Sequence, residues 1–218
     1  MSIKKVFIVF AHPEEKSFCS AMKNVISKTY EKIGCQVKIS DLYNMKFDEI
    51  ICPLEVKTNA DSLKGVESMI SPILKESKTE KTLNLHQQII QEEIDKLIWC
   101  DILFFVYPLY WFHFPGIMNN WIHKVLSVCS LNNISMKGKM FMMLFTSGMT
   151  NKLLNPHLKA MLALAIDTIF HPLGFISYFP YIVGGPARQS ENERKEILVN
   201  LEKEIINLNQ RKLYNLIN

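Results

Sequence analysis

Three stretches of this chain gather aromatic, hydroxyl and small residues where apolar runs end. The longest is Pro108-Leu109-Tyr110-Trp111-Phe112-His113, closed by Phe114-Pro115-Gly116. Tyr110, Trp111 and Phe112 form an aromatic wall of the kind that stacks on a flat ring. The second is His12-Pro13-Glu14-Glu15-Lys16, running into Ser17-Phe18 at a helix start. Backbone N–H groups and the helix dipole there favour an anion such as a phosphate. Ser17 adds a hydroxyl and His12 a ring N–H. The third, Thr146-Ser147-Gly148-Met149-Thr150, offers two hydroxyls and a glycine that lets backbone approach closely. A phosphate at one loop and a flat polar ring spanning the other two describe a flavin. Redox chemistry would then be the cofactor's work, since no side chain stores a hydride pair. The plainer alternatives are that Ser17 only caps a helix, that His12 is an ordinary loop residue, and that the aromatics merely cover a sheet end.

Other chemistries find little support. GxGxxG, GxxxxGK[ST], GxSxG and HExxH are all missing. His86, His113, His123, His157 and His171 are dispersed; only His113 sits inside the aromatic stretch. Asp101, just before the central apolar run, reads as a turn residue and not as a base. Cys19, Cys35, Cys52, Cys100 and Cys129 are odd in number and have no CxxC spacing. They read as reduced thiols of a cytoplasmic protein, not as a disulfide frame or a metal site.

The elements that must position these loops follow from periodicity. Val6 to Ala11, Ile102 to Val106 and Met140 to Phe145 are unbroken apolar runs, the mark of strands buried on both faces. Val37 and Ile39 alternate with polar neighbours, as on an edge strand. Phe175 to Phe179 reads as a last strand, and Gly184-Gly185-Pro186 as a loop. Helical spacing runs from Phe18 to Ile33, from Leu85 to Ile98, after Pro115 through Trp121 and Val125, and from Pro156 to Phe170. Ser190 with Glu193 forms a capping box that opens a final helix. The order is that of a single α/β domain over residues 1–218, a five-stranded doubly wound parallel sheet. In a flavodoxin-like strand order of 2-1-3-4-5, the three loops meet at the carboxyl edge of the sheet, where such folds bind ligands. Residues 46–83 are an excursion after the second strand, read as a dimer arm or a lid.

The 218 residues are 48% hydrophobic and 21% charged, with a formal net charge of +4. Lys and Arg are interspersed with Asp and Glu, so no nucleic-acid footprint stands out. No apolar run reaches the roughly 18 residues that a membrane span needs, and a strand so close to Met1 leaves no room for a signal peptide.

Pro108-Leu109-Tyr110-Trp111-Phe112 with Pro115, Trp121 and Val125 resembles the PL[YQW]WF…P…GW…RV motif of the NAD(P)H:quinone oxidoreductase family, the DT-diaphorase type. Ala11-His12-Pro13 with Ser17-Phe18 is similar to that family's phosphate loop. Asp41-Leu42-Tyr43 with Phe47 resembles its DLY…F segment, Thr146-Ser147-Gly148 its TTGG turn, and Ser190 to Arg194 its SEEER segment. The resemblance spans most of the chain. It implies a flavodoxin-like homodimer that binds FAD, with FMN the lesser alternative. It also implies two-electron, ping-pong hydride transfer from NAD(P)H to a quinone or another flat acceptor. On matched positions His12, Ser17 and Phe18 would hold the phosphate side. Pro108, Leu109, Tyr110 and Trp111, with Thr146, Ser147, Gly148 and Met149, would hold the ring. Arg194 would reach the adenine end, and Trp111, Phe112 and His113 would line the substrate slot.

The chain departs from that pattern in places. Met149 stands where the family has its second turn glycine, and Ala187 aligns near a cofactor-contacting Glu of animal members. Asn151 to Asn155 hold neither the Tyr nor the His that follow the turn in animal members. The segment after Trp121 is shorter, nearer to the bacterial members. Some bacterial relatives resemble ancillary subunits of glutathione-gated potassium efflux systems, so a flavin-binding regulatory subunit is the alternative function. A one-electron carrier fits less well, because flavodoxins are strongly acidic.

Overall fold

The computed structural model describes residues 3–49 and 80–214. Strands β1 (Lys5–Phe10), β2 (Gln36–Asp41), β3 (Ile102–Pro108) and β4 (Met140–Ser147) are parallel, in the order β2-β1-β3-β4. β3 and β4 are buried along their whole length, and β1 along all but its first residue. The unbroken apolar runs are therefore central strands, and the alternating run is the edge. This is the doubly wound, flavodoxin-like sheet that the sequence predicts.

Side-chain alternation divides the sheet between two cores. Phe7, Val9, Leu103, Phe105, Phe141 and Phe145 face one side. They meet α2 (Glu80–Trp99), α3 (Gly116–Trp121, extended to Leu131) and α4 (Asn151–Leu162, extended to Phe170). Ile8, Phe10, Phe104, Val106 and Leu144 face the other side and meet α1 (Phe18–Lys32) and α5 (Glu191–Ile206). Phe105 sits at the centre of the first core. It makes edge-on ring contacts with Trp121 at 5.4 Å and with Phe141 and Phe170 at 5.3 Å.

Three boundaries differ from the sequence reading. The last strand is split into β5 (Ile176–Ser177) and β6 (Tyr181–Gly184), both paired with β4. Ser177 pairs with Phe141 and Tyr181 with Leu144, so Tyr178-Phe179-Pro180 stand opposite only Met142-Met143. The extra residue bulges the strand, and Pro180 has no N–H to give the ladder. Arg211 satisfies the loosened carbonyls, donating to Phe179 O at 2.8 Å and Pro180 O at 2.6 Å. Gly184, read as loop, ends β6. The third difference is α4, which starts at Asn151 and not at Pro156. Thr150 in extended conformation starts it, and the helix carries the proline in its interior.

Two helices change winding partway. α3 becomes a π-helix over Ile122–Leu126, and α4 over Ala163–Phe170. Such segments are rare and often lie at functional sites. The excursion's residues 50–79 lie outside the described residues. No described helix is long and apolar enough to cross a membrane.

Candidate active site

β1, β3 and β4 all end at one edge of the sheet, and parallel pairing brings their loops together. Pro108 pairs with Thr146, and Leu109 N donates to Thr146 O at 2.7 Å. The loop after β1 enters α1 through Ser17. The Ser17 hydroxyl accepts from Ser20 N at 3.1 Å, which is the capping bond expected of it. Ala21 N donates to Ser17 O. The Phe18 and Cys19 amides at this helix start have no hydrogen bond among the described residues. Free amides at a helix start favour an anion.

A cleft of about 600 Å³ opens over these amides. His12, Ser17, Phe18, Thr146 and Arg194 all line it, so three stretches distant in sequence bring five of the sequence-predicted residues together. The cleft also has walls the sequence reading missed: Lys16, Cys19, Pro186 and Lys195. Ala187, which the resemblance aligns near a cofactor-contacting Glu, lines it too. Lys16 was visible in the same polar loop, and Lys195 adjoins Arg194. Cys19 gave no signal beyond its apolar spacing. Lys16, Arg194 and Lys195 make the cleft basic. Glu191 offsets part of that charge through its pair with Lys195, an exposed pair that adds little stability.

His12 is poised as a neutral donor. Its Nδ1 accepts from Glu14 N at 2.9 Å, which puts the ring proton on Nε2. Burial lowers its pKa below the ordinary histidine value. At the cleft floor Cys19 Sγ lies 3.2 Å from Thr146 Oγ1. Burial pushes the Cys19 thiol up to about 11, so it remains a thiol and not a nucleophile.

The aromatic loop has an unusual backbone. Tyr110 N donates to His113 O at 3.1 Å, and His113 N to Tyr110 O at 2.9 Å. Trp111 and Phe112 between them have φ of +50° and +64°. That is a two-residue hairpin turn of the I′ kind, which ordinarily takes Asn-Gly. Two bulky residues held in the left-handed region store strain, as functional sites often do. The turn stands Trp111 out of the protein, 93% exposed, and folds Phe112 inward. Phe112 packs edge-on against His157 at 5.3 Å. Phe112 and His113, with Leu109, line a second, smaller cavity on the α4 side of the sheet and not the basic cleft.

The third loop is pinned from β6. Met149 N donates to Ser147 Oγ at 3.0 Å, and Gly185 N to Ser147 O at 2.7 Å. Gly184 passes so close that a Cβ there would lie 2.4 Å from Asn151 Oδ1 and 2.5 Å from Asn151 N. The third loop therefore needs glycine at 184, a requirement that the strand's own pattern does not reveal.

Asp101 is a turn residue, accepting from Lys4 N and Lys5 N at 2.8 and 2.9 Å. Cys19, Cys35, Cys100 and Cys129 are free thiols; Cys52 lies outside the described residues. Among the described residues no cluster of His, Cys, Asp or Glu has the makings of a metal site.

Comparison with known proteins agrees with this geometry. Residues 4–206 match a family model described as flavodoxin-like fold. The chain is 30% identical over 210 residues to the ribosyldihydronicotinamide dehydrogenase [quinone] of Rattus norvegicus, covering 91% of this chain and 89% of that one. An NAD(P)H:quinone oxidoreductase structure from Methanothermobacter marburgensis superposes with a TM-score of 0.70 at 20% identity, covering 96% of this chain and 99% of that one. An FMN-dependent NADH-azoreductase from Bacillus anthracis, solved with FMN, shares the fold with a TM-score of 0.61 at 17% identity, over 94% and 99% of the chains. The chain belongs to the NAD(P)H:quinone oxidoreductase family of the flavodoxin-like fold.

Proposed function

We propose that this protein is an FAD-dependent NAD(P)H:quinone oxidoreductase. The observation that carries the reading is the continuity of the basic cleft with the exposed aromatic loop through Thr146. When bound, a flavin supplies the two-electron store that accepts hydride from NAD(P)H and passes it to the quinone. The chain's own residues bind and orient. The Phe18 and Cys19 amides, the Ser17 hydroxyl and His12 Nε2–H hold the first phosphate. Lys16, Lys195 and Arg194 meet the second phosphate and the adenosine, which is what favours FAD over FMN. Pro108, Leu109 and Tyr110, with Thr146, Ser147, Gly148 and Met149, edge the ring. Trp111 supplies the stacking face, and Phe112 and His113 shape the acceptor slot behind it. The exposed Tyr110, Trp111, Leu153 and Leu164 support a homodimer in which a second copy covers this edge.

The test is an absorbance spectrum of purified protein loaded with FAD or FMN, before and after anaerobic NADH or NADPH. A flavin band that bleaches without a semiquinone band, and returns on adding a quinone, is the expected result. A protein that retains neither flavin would overturn the reading. Retention of flavin with negligible turnover would move the assignment to the regulatory subunit.

A further inference from the structure

The edge of the sheet where the strands begin, opposite the cleft, carries a lysine cluster that none of the chemistry above uses. Lys5 opens β1, with Lys4 just before it, Lys38 lies on the exposed edge strand β2, and Lys139 directly precedes β4. Strand pairing sets these starts side by side. Lys5 pairs with Gln36, Asp101 N donates to Lys5 O at 2.8 Å, and Met140 N donates to Asp101 O at 2.9 Å. α2 ends at the same edge, in Ile98 and Trp99. The Lys38 ammonium stands 4.4 Å from the centre of the Trp99 ring and the Lys5 ammonium 5.9 Å from it. Lys139 Nζ donates to Ile98 O and Cys100 O, both at 2.6 Å.

The positive charge there has little to balance it. Among the described residues none of Lys4, Lys5, Lys38 and Lys139 makes an ion pair. Asp101 lies within the cluster, but its carboxylate accepts from the Lys4 and Lys5 backbone N–H groups. Two ammoniums over one ring gain cation–π attraction and repel each other, a repulsion that an anionic surface relieves. Ile98 beside them is 50% exposed. Lysines over an indole, next to an exposed isoleucine, match the boundary between lipid and water. There such side chains bury their apolar bodies and keep their charge among the headgroups. No arginine shares the cluster: Arg188 and Arg194 belong to the stretch after β6, at the cleft's end of the sheet, and Arg211 is bonded to Phe179 O and Pro180 O. Arginine's planar fork reads individual phosphates and carboxylates, whereas lysine acts as a point charge. The patch therefore suits a diffuse layer of negative charge over an apolar interior better than a nucleic acid or an acidic peptide.

We propose that this edge is a docking surface for an anionic lipid bilayer, on which the protein lies without inserting a helix. The seven residues of β3 span roughly 20 Å, so a docked protein holds its cleft about that far from the bilayer. The surface lies away from the face that a second copy would cover, and it does not depend on the flavin reading.

The experiment is co-sedimentation of the full chain with phosphatidylcholine vesicles, with and without phosphatidylserine. Wild type is expected to bind only the vesicles that contain phosphatidylserine, and to be released as salt rises. A lysine near such a surface changes partitioning about 5-fold, so Lys5→Gln combined with Lys38→Gln weakens binding roughly 25-fold. Lys16→Gln combined with Lys195→Gln removes the same charge from the cleft. It leaves vesicle binding unchanged, because the cleft lies more than a Debye length away. Ile98→Glu, in the exposed last turn of α2, abolishes binding by a second route should the double variant not fold. Failure of wild type to bind either vesicle would overturn the proposal, whether or not the same lysines capture a duplex oligonucleotide or a polyglutamate peptide. So would equal binding to both vesicles, full binding by the edge variants, or an equal loss in the cleft variant.

Discussion

Trp111 allows stability and function to be separated at one position. Its ring is 93% exposed, so truncation removes almost no buried area and costs the fold little. Its backbone is another matter, because φ of +50° is unfavourable for any residue with a Cβ. The left-handed conformation costs roughly 1–2 kcal/mol for an L-residue. Glycine escapes that cost but gives back about 0.5–1 kcal/mol of extra chain entropy in the unfolded state. Trp111→Gly should therefore be more stable than Trp111→Ala by about 0.5–1 kcal/mol. For a chain of this size that is roughly 1–4 °C in Tm. Trp111→Ala should unfold within about 0.5 kcal/mol of wild type. Both variants lose the same stacking face, worth roughly 0.5–1.5 kcal/mol beyond buried area. Flavin affinity or acceptor KM should then weaken by about 2- to 13-fold in each. Calorimetry of the three proteins without cofactor, followed by flavin titration and quinone-reduction kinetics, measures both halves. Equal melting temperatures for the Ala and Gly variants would refute the strained turn. Unchanged flavin affinity and unchanged kinetics in both would remove Trp111 from the site.

Arg194→Ala should loosen FAD while leaving FMN binding unaffected, and equal loss of both by fluorescence titration would contradict its place at the adenine end. Gly184→Ala drives a Cβ into Asn151, so it should cost about 1–3 kcal/mol by chemical denaturation and weaken flavin retention. Glu93 is fully buried and binds Ser40 Oγ, Lys96 Nζ and Trp121 Nε1 at 2.8, 2.5 and 2.7 Å. Glu93→Ala strands the buried Trp121 indole N–H and takes a partner from the half-buried Lys96 ammonium, which keeps Ser40 Oγ, so it should cost about 1–3 kcal/mol by chemical denaturation, whereas Glu93→Gln should cost less. Burial lowers the His12 pKa in the folded protein. The unfolded chain then takes up a proton more readily, so stability should fall as pH drops through about 6.5. His12→Gln should flatten that part of the stability–pH curve measured by thermal melts.

Most of the fold was legible because burial on two faces leaves an unmistakable record. β1, β3 and β4 appear as continuous apolar runs, and β2 as an alternating edge. Local capping was equally legible. Ser17 binds the third amide of its helix, and Ser190 with Glu193 closes a capping box at 2.7 and 3.3 Å. The split of the last strand was hidden, because its cause is a register offset against β4 and an arginine 31 residues beyond Pro180. The early start of α4 was hidden by Pro156, which locally argues for a boundary.

The two halves of the proposed site differ in the same way. The phosphate end uses only what every helix start possesses, orphan amides and a capping hydroxyl, and a sequence displays these directly. The ring end depends on a turn that opposes the preferences of its own residues. Nothing in Tyr110-Trp111-Phe112-His113 asks for a left-handed pair, and Asn-Gly would serve the turn better. The conformation is imposed from outside, by Phe112 packed on α4, Leu109 tied to Thr146 and Pro115 opening α3. The bulk at those two positions burdens the turn and serves only the side chains' contacts: Phe112 is the anchor, and Trp111 is the face left standing in solvent. Such an arrangement makes physical sense when a flat ring, not another side chain, is the missing half of the contact.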